Sequence, residues 1–183
     1  GLYLSTNNGI SWQQTSLGLM SNYVLSLAMA GSNLYAGTQD GFFSSTDNGI
    51  NWTELSSGIT ATTITALTTV DTNIFVGTGT RVYRSTNKGR DWIQCLYGLS
   101  GGVGFRFAVL GNKVFTTCID GFFVSTDLGV TWKIIKLDKP FLGIQALATD
   151  GRNLFVGTKD GVYLSVDDGV TWGPNTPPTA DNC

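Results

Sequence analysis

Aspartate is the residue type in this chain best suited to acid–base chemistry, and three aspartates recur at one point of a regular pattern. Asp40, Asp120 and Asp160 each stand directly before a glycine, at separations that are multiples of 40 residues. Glycoside hydrolysis needs two carboxyl groups at a defined separation, one of them with a raised pKa. Aspartate before glycine is also typical of a tight turn. Because the residue recurs with the repeat, we interpret it as a turn residue and expect no enzyme.

Other common catalytic and metal-binding arrangements lack their residues. The chain contains no histidine, which excludes Ser–His–Asp and Cys–His nucleophiles and zinc sites built on histidine. Cys95, Cys118 and Cys183 do not have metal-ligand spacing, and their odd number leaves at least one outside an intramolecular disulfide. Whether Cys95 and Cys118 pair is left open by the sequence. We expect no cofactor and no bound metal.

The overall charge also narrows the classes of partner. Charged residues make up 13% of the chain, about half the usual share, and the net charge is −2. A nucleic-acid-binding protein would need a basic stripe, so no nucleic-acid partner is expected. No run of apolar residues is long enough for a membrane span. Few lysines and many threonines and asparagines favour a secreted or cell-surface protein.

A segment of 12 residues, called the box below, recurs five times at intervals of 40 residues. Its first copy reads GLYLSTNNGISW, and all five tryptophans of the chain end a copy. The copies are Gly1–Trp12, Gly41–Trp52, Arg81–Trp92, Gly121–Trp132 and Gly161–Trp172.

Short apolar runs lie between the boxes, and their residues alternate with period two. Leu25, Leu27 and Met29 alternate with Ser26 and Ala28, which is typical of a strand. Each repeat yields four strands, A and B before the box and C and D around its turn, which is one propeller blade. The sequence therefore predicts an all-β chain, a β-propeller of four-stranded blades with four full repeats plus a half-blade. Residues 1–172 form the repeats, and 173–183 form a Pro-rich tail or linker.

The box pattern S-T-[DN]-x-G-x-x-W resembles the Asp box, or bacterial neuraminidase repeat. That motif occurs in sialidases, sortilin-type receptors, photosystem II assembly factors and some xyloglucanases. The resemblance implies the propeller fold over nearly the whole chain and leaves function open. The Arg-containing N-terminal motif of sialidases is absent, so the likeness is greatest to non-enzymatic secreted repeat proteins.

The box residues themselves predict turn chemistry. The Asp or Asn accepts backbone N–H groups across the turn, the Gly supplies a positive φ, and the Trp anchors the hairpin in the core. A calcium loop is the alternative, but Asn in two copies favours the turn. These residues are Asn7, Gly9, Trp12, Asp47, Gly49, Trp52, Asn87, Gly89, Trp92, Asp127, Gly129, Trp132, Asp167, Gly169 and Trp172.

One residue departs from its equivalents on the predicted innermost strand. Arg106 stands where the other repeats have Ser26, Ala66 and Ala146. It would line the central channel and hold an anion, or alternatively bond a nearby Asp or backbone carbonyl. We expect a protein or glycan ligand on the axial face, where the D–A and B–C connections converge. The predicted binding residues are Tyr23, Phe105, Arg106, Phe141 and Gln145.

The count of strands leaves the closure of the ring open. Five box hairpins stand against four A–B segments. A four-blade ring would pair the hairpin at 1–17 with the strands of 144–160, and a five-blade ring would lack one A–B pair. We favour a segment of a larger ring or a chain completed by a partner. Open sheet edges also favour association into a homo-oligomer.

These features favour a non-enzymatic extracellular binding or scaffold module. The alternatives are a structural subunit of a homo-oligomer or filament, and a glycan-binding or glycoside hydrolase-like protein. A basic set on one predicted outer hairpin could also dock an acidic partner, although a solvated face explains it equally. That set is Arg81, Arg84, Lys88 and Arg90.

Overall fold

A computed structural model describes residues 1–99, 105–118, 121–137 and 143–174. Within these ranges the chain is all-β, and every regular element is a strand. The first two strands, β1 (Tyr3–Leu4) and β2 (Gln13–Gln14), form a two-stranded sheet, the half-blade. No helix in the described part is long and apolar enough to cross a bilayer.

Four complete blades follow the half-blade. Blade 1 holds β3 (Val24–Ala30), β4 (Asn33–Thr38), β5 (Gly41–Ser45) and β6 (Thr53–Glu54). Blade 2 holds β7 (Ile64–Val70), β8 (Asn73–Thr78), β9 (Val82–Ser85) and β10 (Ile93–Gln94). Blade 3 holds β11 (Arg106–Leu110), β12 (Lys113–Cys118), β13 (Gly121–Ser125) and β14 (Lys133–Ile135). Blade 4 holds β15 (Ala146–Thr149), β16 (Leu154–Thr158), β17 (Gly161–Ser165) and β18 (Gly173–Pro174).

Each blade is an antiparallel meander in the order A, B, C, D, as the period-two pattern predicts. Strand A of one blade lies beside strand A of the next, from β3 through β7 and β11 to β15. The pairing of B with C keeps one register in all four blades, with Leu34 opposite Ser45 and Leu154 opposite Ser165. This is the predicted β-propeller architecture of four full blades and a half-blade.

The four-blade ring, one of the closures that the sequence left open, does not form in the described part of the chain. It would require β15 and β16 to pair with the first hairpin, but they form a sheet with β17 and β18 instead. The D strands begin directly after the box tryptophan, so β18 extends the array to Gly173–Pro174, two residues beyond the predicted boundary at residue 172. The remainder of the predicted tail lies outside the described residues.

The aromatic residues fill the layers between blades wherever a blade stands on each side. Trp52, Trp92, Trp132 and Trp172 are between 4% and 9% exposed. Trp12 is 64% exposed, which corrects the expectation that all five tryptophans are core residues. At the interfaces between complete blades the box tryptophan packs against the preceding blade. Among the described residues no blade precedes the half-blade, so the indole of Trp12 has no such cover.

The box turn is built by its own side chains, as the sequence predicts. In the fourth copy the Ser125 hydroxyl accepts the Gly129 N–H (2.7 Å) and donates to Asp127 Oδ1 (2.8 Å). Asp127 Oδ1 also accepts the Thr131 N–H (2.9 Å), and Oδ2 accepts the Thr131 hydroxyl (2.6 Å). The glycine has φ of 84°, and Leu128 before it also has a positive φ, which the sequence did not predict.

These donors lower the pKa values of the carboxyl groups in the three boxes that have Asp. Hydrogen bonds lower the pKa values of Asp47, Asp127 and Asp167 from 3.8 to about 2. The largest contribution comes from the Asn51 N–H for Asp47, and from the Thr131 and Thr171 hydroxyls for Asp127 and Asp167. A pKa that is lower in the folded state contributes stability above the unfolded value. We therefore expect unfolding by urea to become easier as the pH falls from about 4 to about 2.

The Asp127→Asn variant is the control for this pH dependence. Asparagine occupies the same position in two natural boxes, so the turn can form without a carboxylate. Its urea midpoint should fall less steeply with acid than that of the parent chain. Equal slopes in the two proteins would contradict the assignment of the acid response to the box.

One buried threonine offers a stabilising substitution. Thr116 on β12 is fully buried, and its hydroxyl has no hydrogen-bond partner among the described residues. The equivalent positions carry Ala36, Val76 and Val156, all buried. A buried hydroxyl without a partner is destabilising, so Thr116→Val should raise the free energy of unfolding by about 1 kcal/mol. Urea denaturation measures the change.

Thr38 provides the matched control. It is also fully buried, but its hydroxyl donates to the Gly41 carbonyl (3.0 Å) and accepts the Asp40 N–H (3.0 Å). Thr38→Val should therefore lower the stability by about 1–3 kcal/mol, because it leaves a donor and an acceptor unsatisfied. A destabilised Thr116→Val variant would show that its hydroxyl is satisfied in solution.

Candidate binding site at the axial end of the inner strands

A cavity of about 660 Å³ opens where the innermost strands of blades 1, 2 and 3 begin. The A strands β3, β7 and β11 supply most of its wall, and Gly79 of the B–C turn of blade 2 closes one side. This is the end of the array at which the D–A and B–C connections meet. The lining residues are Leu25, Ser26, Thr65, Ala66, Leu67, Gly79, Arg106 and Phe107.

The geometry of the A strands explains which side chains reach the cavity. The register of β3 against β4 shifts between Val24 and Ser26, and that of β7 against β8 shifts between Ile64 and Ala66. A bulge of this kind re-aims the residue it skips. Leu25, 44% exposed, thereby lines the cavity, whereas Leu27 on the same strand lines a groove on the opposite side.

Arg106 lines this cavity and also joins two blades. Its Nε donates to the Gln145 carbonyl (2.9 Å) and one terminal nitrogen donates to the Phe105 carbonyl (2.8 Å). The expected alternative, bonding to backbone carbonyls, is therefore confirmed. Because Gln145 lies just before β15, the guanidinium ties the start of blade 4 to blade 3. The same side chain also lines the cavity.

The structure brings together only some of the other predicted residues. Gln145 is exposed and donates its N–H to the Gly157 carbonyl (2.9 Å). It lies beside Arg106, whose Nε donates to its carbonyl. Tyr23 is 65% exposed at the start of β3, where its carbonyl accepts the Gln39 N–H (3.1 Å). Phe141 lies outside the described residues.

Phe105 is corrected from a ligand contact to a core residue. It is 1% exposed and packs in the cluster that also contains Phe75 and Trp132. Its Cβ lies so close to Gly77 that a side chain there would approach it within 2.7 Å. The ring stacks at 6.5 Å on Phe107, which does line the cavity. The sequence missed Leu25, Thr65, Leu67 and Phe107, although each is adjacent in sequence to Arg106 or to one of its equivalents.

The aspartates considered for catalysis form turns. Asp40 and Asp160 donate their N–H groups to the hydroxyls of Thr38 and Thr158 (3.0 and 3.1 Å). The same hydroxyls donate to the carbonyls of the glycines that follow. Asp120 lies outside the described residues. In the described part, no three His, Cys, Asp or Glu residues lie close enough to hold a metal ion.

Two of the basic residues on the outer hairpin of blade 2 bond neighbours in their own blade. Arg81 donates to the Gln94 side chain (2.7 Å) and Arg84 to the Asn73 side chain (2.9 Å). A role in docking an acidic partner stays a prediction.

No disulfide joins Cys95 to Cys118. Burial raises the pKa of the Cys95 thiol to about 11, so this cysteine is a core residue rather than a nucleophile. Cys183 lies outside the described residues.

Comparison with known proteins identifies the fold. No protein-family profile and no curated protein sequence matches the chain. An ancestral GH74 enzyme is similar in structure, with a TM-score of 0.72 and 19% identity over 90% of this chain and 25% of that one. The extracellular domain of a one-component system from B. thetaiotaomicron has a TM-score of 0.71 and 14% identity over 93% of this chain and 24% of its own. YCF48 bound to D1 peptide has a TM-score of 0.67 and 16% identity over 90% of this chain and 57% of its own.

The chain is thus an all-β protein of the β-propeller class. It spans about a quarter of the length of the first two of these proteins. The three include an enzyme, an extracellular domain and a peptide-bound protein, so the shared fold is common to different functions.

Proposed function

We propose that the chain is a non-enzymatic binding module of the Asp-box type, secreted or displayed at the cell surface, that holds an extended peptide at the axial cavity. The observation that carries this proposal is the cavity itself, which combines apolar walls from Leu25, Leu67 and Phe107 with the charge of Arg106. Apolar walls with a few polar groups are the usual features of ligand sites. The extracellular and peptide-bound neighbours support the choice of compartment and ligand.

The positive charge narrows the ligand class. A peptide with an acidic side chain beside one or two apolar residues would complement Arg106 and the three apolar walls. The chain as a whole is weakly acidic, so a local basic group at the cavity favours such a ligand by short-range contact.

Panning a phage-displayed random peptide library against the immobilised protein tests the proposal. Selected peptides should be enriched in acidic residues next to apolar ones, and Leu25→Glu should weaken them about tenfold or more. Leu27→Glu on the same strand is the control, because Leu27 faces a different groove and should leave the affinity unchanged. No enrichment, or an equal loss in the two variants, would contradict the axial site.

Activity is tested separately with xyloglucan, because some structural neighbours are GH74 enzymes. We expect no release of reducing ends above that of a heat-treated sample. Hydrolysis that is lost in Asp40→Asn or Asp160→Asn would refute the non-enzymatic assignment.

A further inference from the structure

An apolar groove of about 370 Å³ lies between the half-blade and blade 1, separate from the axial cavity. One wall is Leu2 and Leu4 of the half-blade, and the other is Leu27, Met29 and Leu34 of blade 1. The box residues Gly49 and Trp52 also line the groove. Leu27 and Met29 are 56% and 63% exposed, whereas Leu67 and Leu147, the equivalents of Leu27, pack against the buried clusters of their interfaces.

The three other interfaces show what occupies this place. At each, an aromatic ring of the preceding blade meets the box tryptophan edge-on. The ring pairs are Phe42 with Trp92 (4.9 Å), Phe75 with Trp132 (6.2 Å) and Phe122 with Trp172 (5.6 Å).

The same rings lie against the box glycines. A Cβ added at Gly89 would lie 2.8 Å from the Phe42 ring, and one at Gly129 would lie 2.3 Å from the Phe75 ring. At Gly49 the nearest atoms are aliphatic, hydroxyl or from its own Trp52, all at 3.5 Å or more. Among the described residues, Trp52 is the buried box tryptophan that has no aromatic ring from a preceding blade.

The position of the missing ring follows from blade 2. There the second residue of the box is Val82, and the ring comes from Phe75 on strand B. The half-blade has Leu2 at the position of Val82. By analogy with blade 2, the ring that packs on Trp52 would then come from a B strand paired with β1.

The edge of β1 offers a place for such a strand. In the described part of the chain β1 pairs only with β2, whereas strand C of every complete blade pairs with B on its other edge. In blade 2 Phe75 stands opposite Arg84. The same register would place an aromatic residue of an added strand opposite Leu4, above the groove. Pairing with a sheet edge supplies main-chain affinity, and a side-chain pocket supplies selectivity.

We propose that this groove is a socket for a β-hairpin whose edge strand carries a Phe or Tyr. The hairpin pairs with β1 in the B–C register and inserts its ring between Leu27, Met29 and Trp52, while its second strand covers the exposed leucine and methionine of β3. The chemistry of this partner is that of the chain's own A–B segments, in which strand B carries Tyr35, Phe75, Phe115 or Phe155 at one equivalent position. The inference does not depend on the axial site.

Titration of the full chain with a synthetic peptide of the sequence of residues 64–80 tests the socket. Calorimetry gives the affinity, and hydrogen exchange reports the amides of β1. The peptide should protect the amide of Tyr3, because the Leu2 carbonyl accepts the Thr15 N–H and the Tyr3 N–H of the same peptide group faces the opposite edge of the strand. A peptide with Ala in place of Phe75 should bind about tenfold more weakly or worse. Equal affinities of the two peptides, or no binding at millimolar concentration, would overturn the proposal.

Two variants on the same strand separate this groove from the axial cavity. Leu27→Glu should abolish binding of the peptide, and Leu25→Glu should leave it unchanged. Both residues are exposed, so neither change disturbs the core. Loss of binding in Leu25→Glu with retention in Leu27→Glu would refute the socket and would assign the hairpin to the axial cavity.

Discussion

Gly98→Ala should lower the free energy of unfolding by about 3–5 kcal/mol, at the upper end of what single substitutions cause. Gly98 lies in the D–A connection after blade 2 with a φ of 84°, and a Cβ there would lie 1.9 Å from the carbonyl oxygen of Trp132. The adjacent Tyr97 carbonyl accepts the Trp132 N–H at 3.0 Å. An alanine must therefore push the backbone of blade 3 away from the joint.

The expected loss has three physical parts. An L residue in the left-handed region costs about 1–2 kcal/mol. Breaking the Tyr97–Trp132 hydrogen bond costs about 1 kcal/mol. Displacing Trp132, which is 4% exposed, opens the layer between blades 2 and 3 and adds a loss of packing.

Gly58→Ala is the matched control. Gly58 occupies the same point of the previous repeat with a φ of 95°, but its Cβ would lie 3.7 Å or more from Trp92, which is ordinary contact. Only the backbone strain should remain, so the expected loss is about 1–2 kcal/mol. Urea denaturation of both variants measures the difference. Equal losses of stability would show that the contact between blades 2 and 3 adjusts to the added methyl group without cost.

This glycine illustrates what the repeat predicts and what it omits. Alternation of apolar residues with period two predicted every blade, because strands and turns depend on local sequence. The sequence predicted the D–A connections only as part of the axial face where a ligand binds. Gly98 and the equivalent Gly18 instead allow two neighbouring blades to pack closely, because a side chain at either position would clash. At Gly18 the Trp52 carbonyl oxygen would lie 2.3 Å from an added Cβ. The distance between neighbouring blades is a tertiary quantity that no single repeat encodes.

The candidate site was predicted in part for the same reason. Comparison of repeats identified Arg106 because its residue type is unusual at that position. Leu25 was missed because its access to the cavity depends on a bulge, and Phe105 was misplaced because a neighbouring blade covers it. Likewise Trp12 and Trp52 end copies of the same motif, yet the cover on the side of the preceding repeat leaves one exposed and the other buried. Local sequence specifies the residue, whereas its exposure is decided by the neighbouring repeat.

Asn87→Asp should destabilise the third box by about 1–2 kcal/mol. A second change, Asp91→Asn, should restore the lost stability. In the folded chain the Asn87 side-chain nitrogen donates to Asp91 Oδ2 at 2.6 Å, and its oxygen accepts the Asp91 N–H at 2.9 Å. A carboxylate at position 87 replaces that donor with an acceptor and places two negative charges in contact. Solvent screening limits the cost at this exposed turn.

We expect this rescue because in each box the turn residue and the residue four positions later form a matched pair of hydrogen-bond donor and acceptor. Where the turn residue is Asp, the residue four positions later is a donor, as Asn51 is to Asp47 (2.7 Å) and Thr131 to Asp127 (2.6 Å). Where the turn residue is Asn, its partner has an acceptor oxygen, as Asp91 has. The double variant gives the third box the Asp–Asn pair of the second.

A double-mutant cycle in urea measures the coupling of the two positions. We expect Asn87→Asp alone to be the least stable protein, and the double variant to match the parent within about 0.5 kcal/mol. High salt should narrow the gap between the single variant and the parent, because it screens the repulsion. Asp47→Asn is the control, since two amides at 47 and 51 can still bond each other and the change should be small. Additive losses in the cycle would show that the two side chains are uncoupled and that the backbone alone holds the turn.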